Sequence, residues 1–319
     1  MTKFKAWISA ARLRTLPLSV SGIIVGSSMF NNILINPFLS SLEYSTSFGA
    51  RIPFYKTSIF WFAIATTLGL QILSNFANDY GDGVKGTDNE DRVGPQRALQ
   101  SGAISRKEML RGIVFTSIIT LVLAILLIYK SFGEAYFFYS VFFFLLGLAA
   151  IAAAIKYTMG SSAYGYRGLG DVFVFIFFGL VSVVGCYFLF TKDLHWLVFL
   201  PAVTIGFLSA AVLNLNNMRD HDSDKKANKN TIVVKMGLSN AKKYHYFLLI
   251  GGLSAMLVFL YFTYQSYTNL LFLVAYIPLF IHINKVINTK KAVDLDPELK
   301  KVALSTFLLA LLFSLGQIL

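Results

Sequence analysis

The sequence predicts an all-α, polytopic membrane protein with about nine transmembrane helices around a central cavity. Of its 319 residues, 56% are hydrophobic and only 14% are charged, a balance far outside that of an ordinary soluble domain. The apolar residues also fall into runs of about 18 or more with few charges, which is the length that an α-helix needs to cross a bilayer. Composition and run length therefore indicate the same class.

Nine such runs follow one another along the chain. The first is too long for a signal peptide and lacks a small-residue cleavage site, so we expect it to be retained as a helix. The segment before it, KFKAWISAARLR, mixes basic and apolar side chains and is typical of an amphipathic helix at a membrane surface. We treat residues 1–319 as a single domain. The predicted spans lie near Leu16–Leu34, Thr57–Ala77, Gly112–Tyr129, Ala135–Ile155, Leu169–Phe190, Leu194–Leu215, Tyr246–Tyr264, Asn269–Ile287 and Val302–Leu319.

The net charge of +12 follows membrane topology. With nine spans, all but four of the 28 Lys and Arg residues lie on the same side as the N-terminus. The exceptions are Arg51, Lys56, Lys130 and Lys192. The positive-inside rule then places the N-terminus and the long basic loops in the cytoplasm, and the protein in the cell (inner) membrane. The charge gives no reason to expect a nucleic acid, and no protein partner is implied.

Cysteine and histidine offer no recognisable site. Cys186 is the only cysteine and falls inside a predicted span, where packing is the ordinary role, so no intramolecular disulfide can form. The four histidines, at positions 195, 221, 245 and 282, show no metal-ligand spacing. The chemistry must therefore come from other residue types.

The stretch SNFANDYGDGVKGTD, at the end of the second predicted helix, supplies amide and carboxylate side chains. Asn75, Asp79 and Asp82 are spaced four and three residues apart, which places them within about 60° on one helical face, and Asn78 lies beside them. At the end of the sixth helix, NLNNMRDHDSDKK repeats the pattern with Asn216, Asp220 and Asp224, whereas Asp222 points elsewhere. Two acidic clusters are thus predicted on one side of the membrane.

Carboxylates clustered at the membrane edge repel one another, so such a pair of clusters implies a bound cation. The candidate ligands are oxygen atoms, with no patterned histidine or cysteine, which suits Mg²⁺ with water and phosphate in its remaining coordination positions. Two such clusters facing each other would bind a diphosphate between them through Mg²⁺. Nearby basic residues would neutralise the remaining phosphate charge. The alternative is a pair of solvated helix ends with Asx caps. The basic candidates are Lys85, Arg92, Arg97, Arg219, Lys225, Lys226 and Lys229.

A third polar loop, KYTMGSSAYGYRGLGD, lies on the same predicted side. Lys156 or Arg167 would contact an acceptor carboxylate or the diphosphate, Tyr157 and its neighbouring tyrosines would lie beside a carbocation, and Asp171 would orient an acceptor hydroxyl. The alternative is an interfacial belt of aromatic residues and arginine. Arg12 and Arg14, ahead of the first span, have a similar alternative, in which their charges only set the orientation of the protein in the membrane.

These motifs resemble those of the UbiA-type intramembrane prenyltransferases. Members of that family resemble one another in nine helices, an Asn-Asp-x-x-Asp motif after helix 2 and an Asp-x-x-x-Asp motif after helix 6. The resemblance implies that Asp79, Asp82, Asp220 and Asp224 are catalytic Mg²⁺ ligands, with Asp88 in place of the distal aspartate of the first motif. The strings RVGPQRALQSG, YGYRGLGDVFVFIFFG and NNMRDHDSDKKANKNT further resemble those of members that use 1,4-dihydroxy-2-naphthoate in menaquinone synthesis.

Two departures from the family pattern concern loops. Asn228 stands where a glycine usually precedes the motif lysine, here Lys229, and asparagine is the residue that best replaces glycine in a left-handed turn. We therefore predict that the turn is kept and that Lys229 reaches the diphosphate. Ala163 stands where the family often has a proline, which removes no ligand.

The resemblance implies transfer of a polyprenyl group from its diphosphate to an aromatic acceptor, with loss of carbon dioxide when that acceptor is the naphthoate. Three alternatives remain at this point. Another acceptor (4-hydroxybenzoate, homogentisate or haem) would use the same motifs. A CDP-alcohol phosphotransferase would place its aspartates in one continuous motif. A transporter would spread polar residues through the bilayer instead of gathering them on one face.

Overall fold

The computed structural model describes residues 2–32, 53–87 and 97–319, and these residues form helices and their connections. Short 3₁₀ turns join several of the helices, and a longer 3₁₀ segment, Tyr267–Ala275, leads into α10. The helices are α1 (Lys3–Ala11), α2 (Leu16–Ser28), α3 (Ser58–Lys85), α4 (Arg106–Phe132), α5 (Phe137–Lys156), α6 (Gly170–Thr191), α7 (Phe199–Arg219), α8 (His221–Lys226), α9 (Ile232–Thr263), α10 (Tyr276–Asn288) and α11 (Asp296–Ile318).

The expectation of nine membrane spans is confirmed for the described part of the chain. Nine helical segments there are long and apolar enough to cross a bilayer, counting α1 with α2 as one and including the 3₁₀ turn before α10. Each overlaps one of the runs expected from the sequence. Their exposed side chains are largely apolar, as lipid contact requires.

Five predicted helix boundaries differ from the structure by six residues or more. α4 and α11 each begin six residues before the predicted start, at Arg106 and Asp296. α3 continues eight residues beyond Ala77 and ends only at Lys85, before a left-handed Gly86. α9 begins at Ile232, capped by the Thr231 side chain, and not near Tyr246. α2 is shorter than expected and ends at Ser28. Hydropathy marks the apolar part of a helix, whereas capping and buried hydrogen bonds decide where it ends.

α1 is an amphipathic helix, as expected, and one of its faces packs on the bundle. Ala6 and Ala10 are buried, while Phe4 and Ile8 are exposed. The Trp7 ring meets Phe76 of α3 edge-on, with the ring centroids 5.1 Å apart. The small alanines allow this close contact, so α1 fixes the chain at the start of α2.

α2 lies at the centre of the bundle, in contact with α3, α6, α7 and α11. The first turns of α2 and α11 border the same cavity, so the two helices begin at one end of the bundle. At their other ends, the Asn32 amide donates a hydrogen bond to Gln317 Oε1 over 2.6 Å. α2 and α11 are therefore parallel neighbours. We call the end where they begin the aspartate end, since Asp82 and Asp224 also lie there.

A buried polar chain joins α9, α10 and α11. His245 Nε2 lies 2.7 Å from His282 Nε2, and His282 Nδ1 lies 2.6 Å from a carboxylate oxygen of Glu298. The other Glu298 oxygen accepts from the Lys301 ammonium, over 2.7 Å. Both histidines are fully buried. The first contact joins α9 to α10, and the second joins α10 to α11. The chain therefore holds the three helices in one arrangement.

α6 departs from regular α-helix over Phe175–Gly185, which forms a π-helix. Gly179 in this segment lies against α7, where an added Cβ would come within 2.6 Å of Ala202 O and 2.8 Å of Gly206 Cα. The two backbones thus touch without an intervening side chain. Gly185, six residues later, has more room, since its Cβ would meet its nearest neighbours at 3.9 Å.

This contrast predicts that Gly179→Ala destabilises the protein and Gly185→Ala does not. The extra methyl group at position 179 must push α6 and α7 apart, which costs about 1–3 kcal/mol, whereas the methyl group at position 185 enters open space. Thermal unfolding of the two variants in the same detergent measures the difference. Equal midpoints would show that the close approach of α6 and α7 does not limit stability.

Candidate active site

A cavity of about 600 Å³ opens at the aspartate end and extends between the helices. Its inner part is apolar, and Leu127, Phe143, Phe177 and Val181 are among the residues that line it. Its mouth is polar and contains carboxylates, amides and basic side chains. One compartment therefore offers an apolar pocket next to a charged mouth, which suits a ligand with a greasy tail and an ionic head.

Ten of the candidate residues from the two acidic motifs, their basic neighbours and the third loop line this cavity. Six others are absent from its wall, namely Asp79, Lys85, Lys156, Arg167, Lys225 and Lys226. Asp88 and Arg92 lie outside the described residues, so their assignments stay predictions. The ten that line it are Asn75, Asn78, Asp82, Arg97, Tyr157, Asn216, Arg219, Asp220, Asp224 and Lys229.

Lys229 lies between the two acidic motifs. Its ammonium is 3.8 Å from Asp82 Oδ2 of α3 and 3.6 Å from Asp224 Oδ1 of α8, and all three residues are buried. Burial alone would lower the pKa of Lys229, but the two carboxylates raise it above the ordinary lysine range. Burial raises the pKa of Asp224 to about 6, although Lys229 opposes this shift. The first and second motifs therefore meet through one lysine.

The backbone after α8 places Lys229 at this point. Asn228 adopts φ 54°, in the left-handed region. The Lys229 N–H donates to Asp224 O over 2.8 Å, and the Asn228 N–H donates to Lys225 O over 3.2 Å. These two bonds are those of a Schellman motif, in which the left-handed residue is usually glycine and sometimes asparagine. The left-handed turn predicted at Asn228 is confirmed.

Tyr166 holds Asp82 in place through its hydroxyl group. Its hydroxyl donates to Asp82 Oδ1 over 2.7 Å and lies 2.6 Å from the Thr87 hydroxyl. The Lys85 ammonium lies 3.9 Å from the centre of the Tyr166 ring, a cation–π contact. Lys85, expected to bind substrate, thus contacts this ring and not the cavity. Tyr166 carries no sequence signal for this role beyond lying in the third polar loop.

Arg219 is engaged by carboxylates and does not present a free guanidinium to the cavity. It binds Asp220 with two bonds, of 2.8 Å from Nε and 2.6 Å from a terminal nitrogen, and binds Asp296 of α11 over 2.6 Å. It also donates to the Asn216 side-chain oxygen over 2.9 Å. The expectation that Arg219 neutralises phosphate stays a prediction, which these carboxylate pairings do not support. Arg219 instead ties the second motif to the start of α11.

Asp79 and Asn75 of the first motif make structural contacts. Asp79 accepts hydrogen bonds from the backbone N–H groups of Ala98, at 3.1 Å, and Leu99, at 3.5 Å. Asn75 donates to Ala11 O over 2.9 Å and so anchors the turn before α2. Asp79 therefore orders the segment that follows the first motif. Its assignment as a catalytic Mg²⁺ ligand stays a prediction that these contacts do not support.

The third polar loop contributes Tyr157 and Tyr164 to the cavity, but not its charged residues. Lys156 and Arg167 are exposed and absent from the cavity wall, so the structure does not support their predicted contacts with an acceptor. Asp171 is buried near Tyr244 of α9 and is absent from the cavity wall. Its predicted role in orienting an acceptor hydroxyl is therefore not supported by this geometry.

The residues at the mouth fit a hard cation such as Mg²⁺. Among the described residues, Asp82 and Asp224 share the Lys229 ammonium, and Asp224 Oδ2 is a buried oxygen without a hydrogen-bond partner, the kind of ligand atom that a hard cation binds. Within the described part of the chain, no three His, Cys, Asp or Glu side chains come together as a closed metal site. Any such ion would therefore take most of its remaining ligands from water or substrate.

Comparison with known proteins identifies related sequences. Residues 42–313 match the UbiA prenyltransferase family. The 1,4-dihydroxy-2-naphthoate octaprenyltransferase of Haemophilus influenzae is 38% identical over 317 residues, covering 98% of this chain and 96% of that protein. The enzyme of the same name from Escherichia coli is also 38% identical, covering 99% of this chain and 96% of that protein.

A solved structure shares the fold at low sequence identity. It comes from a study of digeranylgeranylglyceryl phosphate synthase in membranes, and it superposes with a TM-score of 0.55. The match covers 100% of this chain and 99% of the other, at 16% identity. At that identity the match concerns the helical fold and carries no information about substrates.

The Schellman motif predicts the effect of substitutions at Asn228. Asn228→Gly should keep the position of Lys229 and the activity, because glycine adopts positive φ without steric cost. Asn228→Val should lower activity at least tenfold, since a β-branched residue is strained at φ 54°. Prenyl transfer and thermal unfolding are measured on both variants, so that loss of folding is separated from loss of the turn. A fully active valine variant would contradict the role given to this turn.

Proposed function

Because the chain belongs to the UbiA prenyltransferase family, we propose that it transfers a polyprenyl group from a polyprenyl diphosphate to 1,4-dihydroxy-2-naphthoate. Octaprenyl is the group named for both relatives at 38% identity. The observation that carries the proposal is the cavity, which joins an apolar interior to the Asp82–Lys229–Asp224 cluster. Such a cavity suits a donor with a long hydrocarbon tail and an ionic head.

In the proposed reaction, the bond between the allylic carbon and the diphosphate oxygen breaks, and its electron pair leaves with the diphosphate. The electron-rich ring then forms a carbon–carbon bond at the carbon that bears the carboxylate. Loss of carbon dioxide from that carbon returns an electron pair to the ring and restores aromaticity. The product is a prenylated naphthalenediol of the menaquinone type, together with diphosphate and carbon dioxide.

The charged mouth has two roles in this proposal. Lys229 would bind the diphosphate, and Asp82 and Asp224, which contact Lys229, would also hold a Mg²⁺ ion. Bound Mg²⁺ would withdraw negative charge from the leaving diphosphate. Tyr166 keeps Asp82 in place through its 2.7 Å hydrogen bond. Arg219 and Asp296 keep the second motif next to α11.

The apolar interior protects the reactive cation. Tyr157, Tyr164 and Phe177 line the cavity and offer aromatic faces, which stabilise nearby positive charge. Burial raises the pKa of Tyr157 to about 12, so its phenol stays neutral and does not capture the cation as phenolate. The apolar walls also exclude water, which would otherwise hydrolyse the cation.

The proposed location is the inner cell membrane, with the aspartate end in the cytoplasm. The distribution of Lys and Arg supports this orientation. Both proposed substrates would meet at the cytoplasmic side, the donor from the bilayer and the acceptor from water.

The experiment is a prenyl-transfer assay on the purified enzyme. It uses octaprenyl diphosphate, Mg²⁺ and either 1,4-dihydroxy-2-naphthoate, 4-hydroxybenzoate or homogentisate, with products identified by mass spectrometry. We expect product from the naphthoate. Preference for another acceptor would contradict the acceptor assignment, and the absence of any prenylated product would contradict the proposed reaction.

Variants of the same enzyme test the site. Asp82→Asn and Asp224→Asn should each lower kcat at least about 100-fold, the scale expected when charge stabilisation is lost. Asp222→Asn is the matched control and should stay within about twofold, because that side chain is 92% exposed and pairs only with its neighbour His221. Similar losses at all three positions would contradict the assignment of the cluster.

The orientation is tested by cysteine labelling in a Cys186→Ala background. Glu134, in the exposed turn between α4 and α5, lies at the end opposite Asp222. A Glu134→Cys variant should react with a membrane-impermeant thiol reagent in intact spheroplasts, and Asp222→Cys should react only after lysis. The reverse pattern would invert the topology.

A further inference from the structure

The cations that line the cavity fall into two classes. Arg219 and Lys229 are paired with carboxylates, as described above, and Arg12 and Arg97 interact electrostatically with Asp79. Arg14 and Lys300 also line the cavity, yet within the described residues neither contacts a carboxylate. These two positive charges therefore have no role in holding the fold together through ion pairs.

Arg14 and Lys300 lie on neighbouring helix ends. Arg14 comes two residues before α2, and Lys300 lies one turn into α11, the parallel neighbour of α2. Both helices begin at the aspartate end, and both residues line the cavity there, although each is also exposed to solvent. Neither cation was singled out for substrate binding by its position in the sequence.

Both backbones are held in place. Next to Arg14, the Thr15 hydroxyl accepts hydrogen bonds from Gln71 and Asn75 of α3, at 3.2 and 3.3 Å. Four residues before Lys300, Asp296 accepts from Arg219 of α7 over 2.6 Å. The backbone near each cation is thus fixed relative to α3 and α7, the helices that lead into the two acidic motifs.

The two proposed substrates need different numbers of positive charges to bind them. The diphosphate carries several negative charges, and Lys229 and Mg²⁺ are proposed to bind it. The acceptor carries one carboxylate, which one or two cations satisfy without a metal. Lys156 and Arg167, the cations first expected to bind that carboxylate, are absent from the cavity wall.

We propose that Arg14 and Lys300 form the binding site for the carboxylate of the aromatic acceptor. The proposal rests on the proposed function and deepens it. It implies that the acceptor enters at the α2–α11 side of the mouth, with its carboxylate held there and its ring directed toward the allylic carbon. Selection for carboxylated aromatic acceptors would follow from these two residues.

The test removes the charge from each side of the contact in turn. Arg14→Gln and Lys300→Gln are compared with the wild type on two acceptors, 1,4-dihydroxy-2-naphthoate and 1,4-naphthalenediol, which has the same ring without the carboxylate. Each variant should raise KM for the acid about tenfold, because it loses one charge-assisted hydrogen bond to the carboxylate. KM for the diol and for the prenyl diphosphate should stay within about twofold. If the diol is not turned over, its inhibition constant against the acid replaces KM.

Three controls make the result specific. Arg14→Lys and Lys300→Arg keep the charge and should retain most of the affinity for the acid. Lys290→Gln removes an exposed cation that does not line the cavity and should have no effect. Thermal unfolding of every variant identifies any that fail to fold.

The outcomes separate this inference from the proposed function. Equal losses on the acid and the diol, or a raised KM for the prenyl diphosphate, would overturn the carboxylate site. Unchanged kinetics in both glutamine variants would also overturn the carboxylate site. The two cations would then serve only to orient the protein in the membrane. If the wild type prenylates neither acceptor, the proposed function itself fails.

Discussion

The contact of Lys229 with Asp82 and Asp224 is the constraint around which the aspartate end is built. Asp82 ends the first motif in α3, Asp224 lies in α8, and Lys229 follows α8 outside any helix. Two of the three are held by a further interaction: Asp82 by Tyr166, and Lys229 by the Schellman motif at Asn228. The same contact thus joins the two motifs, and it is where the proposed diphosphate and Mg²⁺ would bind.

Most of the fold could be predicted, because membrane spans follow directly from hydrophobic length. All nine spans were found in the described chain, and the boundary errors concern α2, α3, α4, α9 and α11. α3 extends through the first motif because its polar residues are buried and bonded to other helices, which no local property records. The π-helix in α6 was not expected either, since it depends on a backbone contact with α7.

The site was predictable where local rules apply. The spacing of the acidic motifs located Asp82 and Asp224, and the conformational preference of asparagine located the turn that positions Lys229. The predicted contacts of Lys156 and Arg167 with an acceptor or the diphosphate are not supported, since both side chains lie outside the cavity wall and proximity in sequence does not give the direction of a long side chain. Tyr166, Asp296 and Lys300 were missed, since each meets the site through tertiary packing.

The buried chain of His245, His282 and Glu298 has a consequence for tautomers. With the carboxylate ionised beside Lys301, His282 must carry its proton on Nδ1 to donate to Glu298, so its Nε2 is an acceptor. His245 must then be protonated on Nε2, which leaves its Nδ1 as the buried ring nitrogen without a partner. The two rings are therefore opposite tautomers, and nitrogen NMR of selectively labelled histidine would give each a distinct pair of shifts.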